Sequence, residues 1–299
     1  MTEEKNAHII HITGHNPHRK LIVVGGMHGN EINGVEAIKR LIPQLEKVLD
    51  KTNGTIYFLK GNLQALQTGE RFIEQDLNRL WLEDNIQKPV GQVADFKALH
   101  TLHDLIVNDI CQGKFEQCSF LDLHTFSAQS GIFAIPACNQ KSIDFAKSFG
   151  VPFIEKLSES LPGTALSYFG RLGMTSVVFE GGTHRSAEAT DNLEAGLWHS
   201  LAYLGFIKPD LPQVVKSRSH LEKISESLPH HLELIYRHKL NDYHRFKMND
   251  GYFNFKPVKK AENLAVQNQS VIKSPESGFM LMPLYQKKGS DGFFIVKEK

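Results

Sequence analysis

A short apolar run that ends in two glycines and leads into an amphipathic segment constrains this chain more than any other stretch. Residues 21–49 read LIVVGGMHGNEINGVEAIKRLIPQLEKVL. Leu21, Ile22, Val23 and Val24 are few and mostly β-branched, which suits a strand buried on both faces. Val35, Ile38, Leu41, Ile42, Leu45, Val48 and Leu49 then recur at helical spacing. Strand, turn and helix in that order predict an open α/β sheet. They set Met27-His28-Gly29-Asn30-Glu31 at the strand's exit, the edge where such sheets bind ligands.

His28 and Glu31 are three residues apart, so one turn can aim both at a single point. An imidazole nitrogen and a carboxylate oxygen suit Zn²⁺, which needs at least one more ligand. The plainer reading is a surface histidine beside a first-turn glutamate favoured by the helix dipole. The rest of the chain decides between them.

The alternation continues. Thr55–Leu59, Cys118–Leu123, Gly131–Pro136, Val151–Ile154 and Thr175–Phe179 read as strands. Val93 to Ile110 carries a helical stripe at Phe96, Leu99, Leu102, Leu105 and Ile106, and Leu193, Leu197, Leu201 and Leu204 mark another helix. This pattern predicts an α/β fold with a mostly parallel or mixed sheet flanked by helices. After Ile207 the texture changes. Pro209 and Pro212 punctuate the chain and helical stripes thin out. Short β-like runs follow at Leu232–Tyr236, Gly251–Phe255, Gly278–Leu284 and Phe293–Val296. We expect one domain over residues 1–210 and a smaller C-terminal β domain over 211–299.

Composition narrows the function classes. With 299 residues, 41% of them apolar, the chain can bury a full core. A formal net charge of +1 argues against a nucleic-acid binder held by a broad basic field. The opening MTEEKNAHII lacks the basic-then-apolar pattern of a secretory signal, and no apolar run approaches membrane-spanning length. Cys111, Cys118 and Cys138, without CxxC spacing, fit free thiols in a reducing compartment. A cytoplasmic protein with no nucleic-acid or membrane partner is expected, and a homo-oligomer stays open.

Within that frame His124 supplies what His28 and Glu31 lack. It ends the strand Phe120-Leu-Asp-Leu-His-Thr125 and should share a sheet edge with His28. An isolated histidine there would read as core or cap. Asp122 reads equally as an acceptor for that imidazole or as a backbone cap. Glu180 closes Thr175–Phe179 just before Gly181-Gly182, where a carboxylate reads as an active-site acid or base, or as a loop cap. With three protein ligands zinc keeps an open position for water, whose pKa it lowers from 15.7 to about 7. A nearby glutamate can accept that proton and pass it to a leaving nitrogen. The stretch Arg71-Phe-Ile-Glu-Gln-Asp-Leu-Asn-Arg79 holds two arginines and Asn78. A solvated salt-bridge face is the ordinary account of such a run. Bidentate recognition of a carboxylate is preferred, because a metal hydrolase acting on an acidic small molecule needs fixed positive charge. His230, His231, His238 and His244 match no metal spacing and read as solvated loop histidines. Lys287-Lys288 reads as an exposed hairpin.

Taken together, GGMHGNE, RFIEQDLNR, DLHT and VFEGG resemble, in order, the motifs of the aspartoacylase/succinylglutamate desuccinylase family, which is zinc carboxypeptidase-like. The resemblance is good from Leu21 to Ile207 and looser beyond, where the family carries a β domain that narrows the active-site mouth. It implies one zinc ion held by His28, Glu31 and His124, with Glu180 as general base and then general acid. It implies that Arg71 stabilises the oxyanion and that Asn78 and Arg79 hold the carboxylate of a small acidic N-acyl amino acid. Arg171, with local spacing shifted by a residue, and Tyr285 are further candidates for substrate contact. For Tyr285 a half-buried β-domain aromatic is an equal account. The expected activity is deacylation of an N-acyl amino acid. The alternatives are a zinc carboxypeptidase acting on peptides and a noncatalytic protein that binds an acidic metabolite.

Overall fold

A computed structural model describes residues 5, 8–16 and 18–299, without the side chains of residues 49–51. Most of the first seven residues and the Leu49 side chain therefore lie outside the described residues. One mixed sheet of eleven strands runs through the molecule. Its order is β1 (Ile9–Thr13), β3 (Thr55–Lys60), β2 (Lys20–Gly25), β4 (Cys118–Phe126), β7 (Thr175–Thr183), β5 (Phe133–Pro136), β6 (Phe153–Glu155), β8 (His231–Lys239), β14 (Asp291–Glu298), β13 (Gly278–Leu281) and β10 (Pro257–Val258). A second sheet joins β12 (Ser270–Lys273), β11 (Asn263–Gln267) and β9 (Phe246–Met248). The central β3-β2-β4-β7 block is parallel, so its strands share one exit edge.

The apolar run of β2 shows why this block is a middle layer. Leu21 and Val23 pack into one core, with Leu41 and Leu45 of the helix Asn33–Leu45 and Leu197 and Leu201 of the helix Ala187–Tyr203. Ile22 and Val24 point the other way, onto Leu99 and Leu102 of the helix Ala94–Asp104 and Phe169 of the helix Ala165–Arg171. Successive side chains of a strand face opposite sides, so a run apolar at every position needs cover on both. Each such buried side chain contributes roughly 1.5–3 kcal/mol.

Three departures from the expected elements have physical causes. Residues 212–225 form a helix, Pro212–Ser225. Its buried positions are Val214, Ser217, Leu221 and Ser225, so half of its inner stripe is serine and gives a weak periodic signal. Val214 and Leu221 join the same core as the helix Ala187–Tyr203, so that body extends past residue 210. Gly251–Phe255 is not a strand: Gly251 and Phe255 both adopt positive φ, 84° and 66°, which breaks the extended backbone. The C-terminal region does build β structure, but most of it adds to the main sheet, because β8 pairs in parallel with β6.

Candidate metal centre and active site

Three strand exits deliver the site. After β2 the chain turns sharply at Gly26, whose φ is 76°. Gly29 then passes so close to the backbone of Ala65 that a Cβ would lie 2.0 Å from it, and its N–H donates to Arg71 O at 3.1 Å. The loops carrying His28 and Arg71 are thereby locked together. Glu31 N–H donates to His28 O at 3.2 Å, closing the turn that sets both side chains inward.

Glu31 is the hub. Its Oε1 lies 2.7 Å from His28 Nδ1, and its Oε2 lies 3.0 Å from His124 Nδ1 and accepts from Thr125 N–H at 3.0 Å. The two imidazole centroids are 5.1 Å apart. Each outer ring nitrogen faces a carboxylate. His28 Nε2 is 3.0 Å from Asp76 Oδ1; His124 Nε2 is 2.9 Å from Asp122 Oδ2, within ion-pair reach but without hydrogen-bond alignment. A carboxylate at the outer nitrogen favours the tautomer protonated there and turns the Nδ1 lone pair inward. Two inward imidazole nitrogens and one carboxylate form a donor set rich in electron pairs, buried, with atoms all within 4.8 Å of one another. Such a set fits a divalent metal ion. Among the described residues it is the one cluster of this kind.

The charges support each other. Burial works against ionisation of Glu31, yet His28 and His124 hold it well below the usual carboxylate range. Burial also opposes charge on His124, but Asp122 and Glu31 hold its pKa well above that of a free imidazole. Asp76 is held low against burial by His28 and Arg71. Arg71 spans the group, with Nη1 donating to Glu31 Oε1 at 3.2 Å and Nη2 to Asp76 Oδ2 at 3.2 Å.

Glu180 lies on β7 directly opposite His124 of β4 in the parallel register. It is 6% exposed, and its Oε2 has no hydrogen-bond partner. Burial is the largest influence on it and, with Glu31 and Asp122 adding to the effect, pushes its pKa up to about 8. A buried carboxyl with an unused oxygen beside a cation site is poised for proton transfer.

The Arg71–Arg79 loop is held by a residue the sequence did not single out. Asp95, fully buried, accepts from the backbone N–H groups of Ile73, Glu74 and Gln75 at 3.2, 2.8 and 2.9 Å, and from Asn62 Nδ2 at 2.6 Å. Asn78 Oδ1 accepts from Ala165 N–H at 3.0 Å. Arg79 donates from Nε to Ser290 Oγ at 3.0 Å, from Nη1 to Asn78 O at 2.8 Å and from Nη2 to Asp291 Oδ2 at 2.8 Å. The segment after β13 roofs the cleft. Its Gln286 Oε1 accepts from Asn30 Nδ2 at 2.9 Å and stands 3.3 Å from His184 Nε2, while His184 Nδ1 lies 2.7 Å from Thr125 Oγ1.

His28, Glu31, Arg71, Asn78, Arg79, His124 and Glu180 therefore line one cavity. Arg171 and Tyr285 do not. Arg171 is exposed at the end of its helix, with its guanidinium over the Tyr168 ring in a separate surface groove. Tyr285 is 40% exposed; its OH donates to Asn249 O at 2.7 Å and accepts from Tyr252 N–H, which ties it to the β domain. His231 and His238 are strand residues, not loop residues. His231 pairs with Glu155 and stacks on Phe153, and His238 stacks on Phe293. Lys288 is no free hairpin cation, since it donates to Phe72 O at 3.1 Å and pairs with Glu70. Asp76, Asp95, His184 and Asp291 brace the candidate site, and sequence reasoning passed over them.

The family model for the succinylglutamate desuccinylase/aspartoacylase catalytic domain matches residues 17–203, and the chain belongs to that family. A succinylglutamate desuccinylase from Pseudomonas paraeruginosa is 43% identical over 61 residues, which are 20% of this chain and 18% of that protein. A probable aspartoacylase from Acaryochloris marina is 32% identical over 117 residues, 39% of this chain and 38% of the relative. The matches thus span well under half the length of these curated relatives. The fold extends further. The crystal structure of a succinylglutamate desuccinylase/aspartoacylase from Rhodobacter sphaeroides superposes with a TM-score of 0.70 at 16% identity, covering 97% of this chain and 88% of that one. The product-bound ectoine utilization protein EutE (DoeB) from Ruegeria pomeroyi gives the same TM-score at 18% identity, with the same coverage of both chains.

Proposed function

We propose that this protein is a zinc-dependent amidohydrolase that removes the acyl group from a small N-acyl amino acid. The observation that carries this reading is the convergence of His28, Glu31 and His124, with the unpartnered Glu180 carboxyl directly across the sheet register. Zinc held by those three side chains would supply a Lewis acid and the positive charge that lowers the pKa of a water to about 7 and favours the ionised, basic form of Glu180. Glu180 takes a proton from the attacking water and returns it to the departing nitrogen. Arg71, fixed by Glu31 and Asp76, presents positive charge to the oxygen of the scissile carbonyl as it becomes an oxyanion. Asn78 and Arg79 line the same cavity, and in this reading they receive the carboxylate that every N-acyl amino acid carries. Asp76 orients the His28 imidazole from behind by a hydrogen bond, and Asp122 faces His124 within ion-pair reach.

The test joins metal content to turnover. Purified protein should contain about one equivalent of zinc per chain. Chelation should abolish release of free amine from an N-acyl amino acid panel, and added zinc should restore it. Full turnover by the chelated, metal-free protein would overturn the reading. The roof formed by Gln286 and the neighbouring segment favours small substrates over peptides. A cytoplasmic location is part of the same proposal; the structure adds that no helix among the described residues is long and apolar enough to cross a membrane.

A further inference from the structure

Two kinds of side chain line the cavity. Glu31, His28, His124, Glu180 and Arg71 are the groups assigned to the chemistry. The others include an apolar cluster, with Ser158 and Thr164 as its polar neighbours in sequence. Val178 stands two residues before Glu180 on β7 and so on the same face of the sheet, and its register partner on β5 is Ile135. Leu161 and Leu166, Phe294 of β14 and Met282 of the roof complete this wall. All but Met282 belong to one buried hydrophobic core, with Met282 packed against it, so the wall is the inner surface of packed structure and not a movable flap.

The cations tell the same story. Among the described residues no lysine lines the cavity, and its arginines are Arg71 and Arg79. Arg71 is engaged by Glu31 and Asp76. Arg79 directs three of its five donors to Ser290, Asn78 O and Asp291. The Asp291 carboxylate is 8% exposed and is shared by Arg79 at 2.8 Å and Arg237 at 2.6 Å. Arg237 in turn donates to Ser160 O. An internal carboxylate thus occupies much of the guanidinium that a second substrate carboxylate would need. A charged group pressed against the apolar wall would lose its hydration without gaining a charged partner. An apolar group there is stabilised by every CH₂ it removes from water.

We infer that the substrate carries one carboxylate and one apolar group, and that N-acyl amino acids with a second carboxylate are the poorer class. The apolar group is a hydrocarbon side chain or a longer acyl chain, seated on the wall formed by Val178, Ile135, Leu161, Leu166 and Phe294. The free carboxylate takes the two donors of Arg79 left unused by Asp291, Ser290 and Asn78. This inference rests on the deacylase reading above, yet it concerns the pocket and can be judged separately.

The experiment compares kcat/KM of the zinc-loaded protein across two arms. The apolar arm contains N-acetyl-leucine, N-acetyl-phenylalanine and N-hexanoyl-glycine; the dicarboxylic arm contains N-acetyl-aspartate and N-succinyl-glutamate. At least one apolar substrate should exceed both dicarboxylates by 100-fold or more. Within the apolar arm, the better partner shows whether the side chain or the acyl chain uses the wall. A dicarboxylate equal to or better than every apolar substrate overturns the inference. The Asp291→Asn variant, if it folds, should narrow the ratio about tenfold by freeing Arg79. Calorimetric binding of the same compounds to the Glu180→Gln protein provides a readout independent of hydrolysis. If no compound is hydrolysed but the apolar ones bind at least tenfold more tightly, the pocket inference stands and the deacylase reading falls. Tighter binding of the dicarboxylates, or binding of neither class, overturns it.

Discussion

His124 and His199 are equally hidden, at 4% and 5% exposed, and their environments push them in opposite directions. His124 lies between Asp122 and Glu31, which hold its pKa well above the ordinary value despite burial. His199, on the helix behind the sheet, lies 4.9 Å from the Phe149 ring and stacks on Tyr203. Its Nε2 is 3.0 Å from Ser148 Oγ, its Nδ1 has no partner, and burial pushes its pKa down to about 4, with Arg218 adding a smaller effect. Depth is common to both; the difference is made by carboxylates. A buried histidine between two carboxylates can hold a cation, and one among aromatic rings can only be packed.

Substitutions at the two places should differ in kind. His124→Ala should reduce bound zinc to background and turnover with it, whereas His199→Phe should leave both within about twofold, as read by metal analysis and amine release. Loss of metal in the second variant would erase the contrast. Glu180→Gln should keep the metal and lower kcat roughly 10³-fold. A variant retaining more than a tenth of the rate would remove Glu180 from the mechanism. Asp76→Asn weakens the acceptor behind His28 and should lower metal affinity about 10- to 100-fold in competition with a chelator.

The last contrast is one of stability and pH. The folded protein holds His199 near 4, below the roughly 6.5 of an unfolded chain, so the unfolded state binds more protons between those values. Wild-type protein therefore loses stability as pH falls from about 6.5 toward 4, by about 3 kcal/mol in full from this group. His199→Phe removes that contribution and should show a shallower slope in denaturant midpoints across the same window. Identical slopes would show that His199 does not titrate on unfolding.

How much of this could be read from the chain depends on distance along it. His28 and Glu31 were legible because their relation is local, three residues within one turn. His124 and Glu180 were legible because parallel strands bring their exits to one edge, so residues at two strand ends must become neighbours. Asp76 and Asp95 were not, because each is one acid among many and gains its meaning from partners elsewhere in the fold, such as His28 for Asp76. Arg79 could be recognised as a cation, but its neutraliser, Asp291, follows 212 residues later. The fold class was visible in the alternation of strand and helix. The boundary near residue 210 was blurred by serines on the inner stripe of Pro212–Ser225.

The pairing of β8 with β6 has a consequence for how such a chain can diversify. The roof of the cavity is not a detachable module, since it grows from the same hydrogen-bonded ladder as the floor. A chain cut after Ser225 would bare the flank of β6, an open template for aggregation. New specificities in this architecture can therefore arise by exchanging side chains that line the cavity, while its strands stay in place.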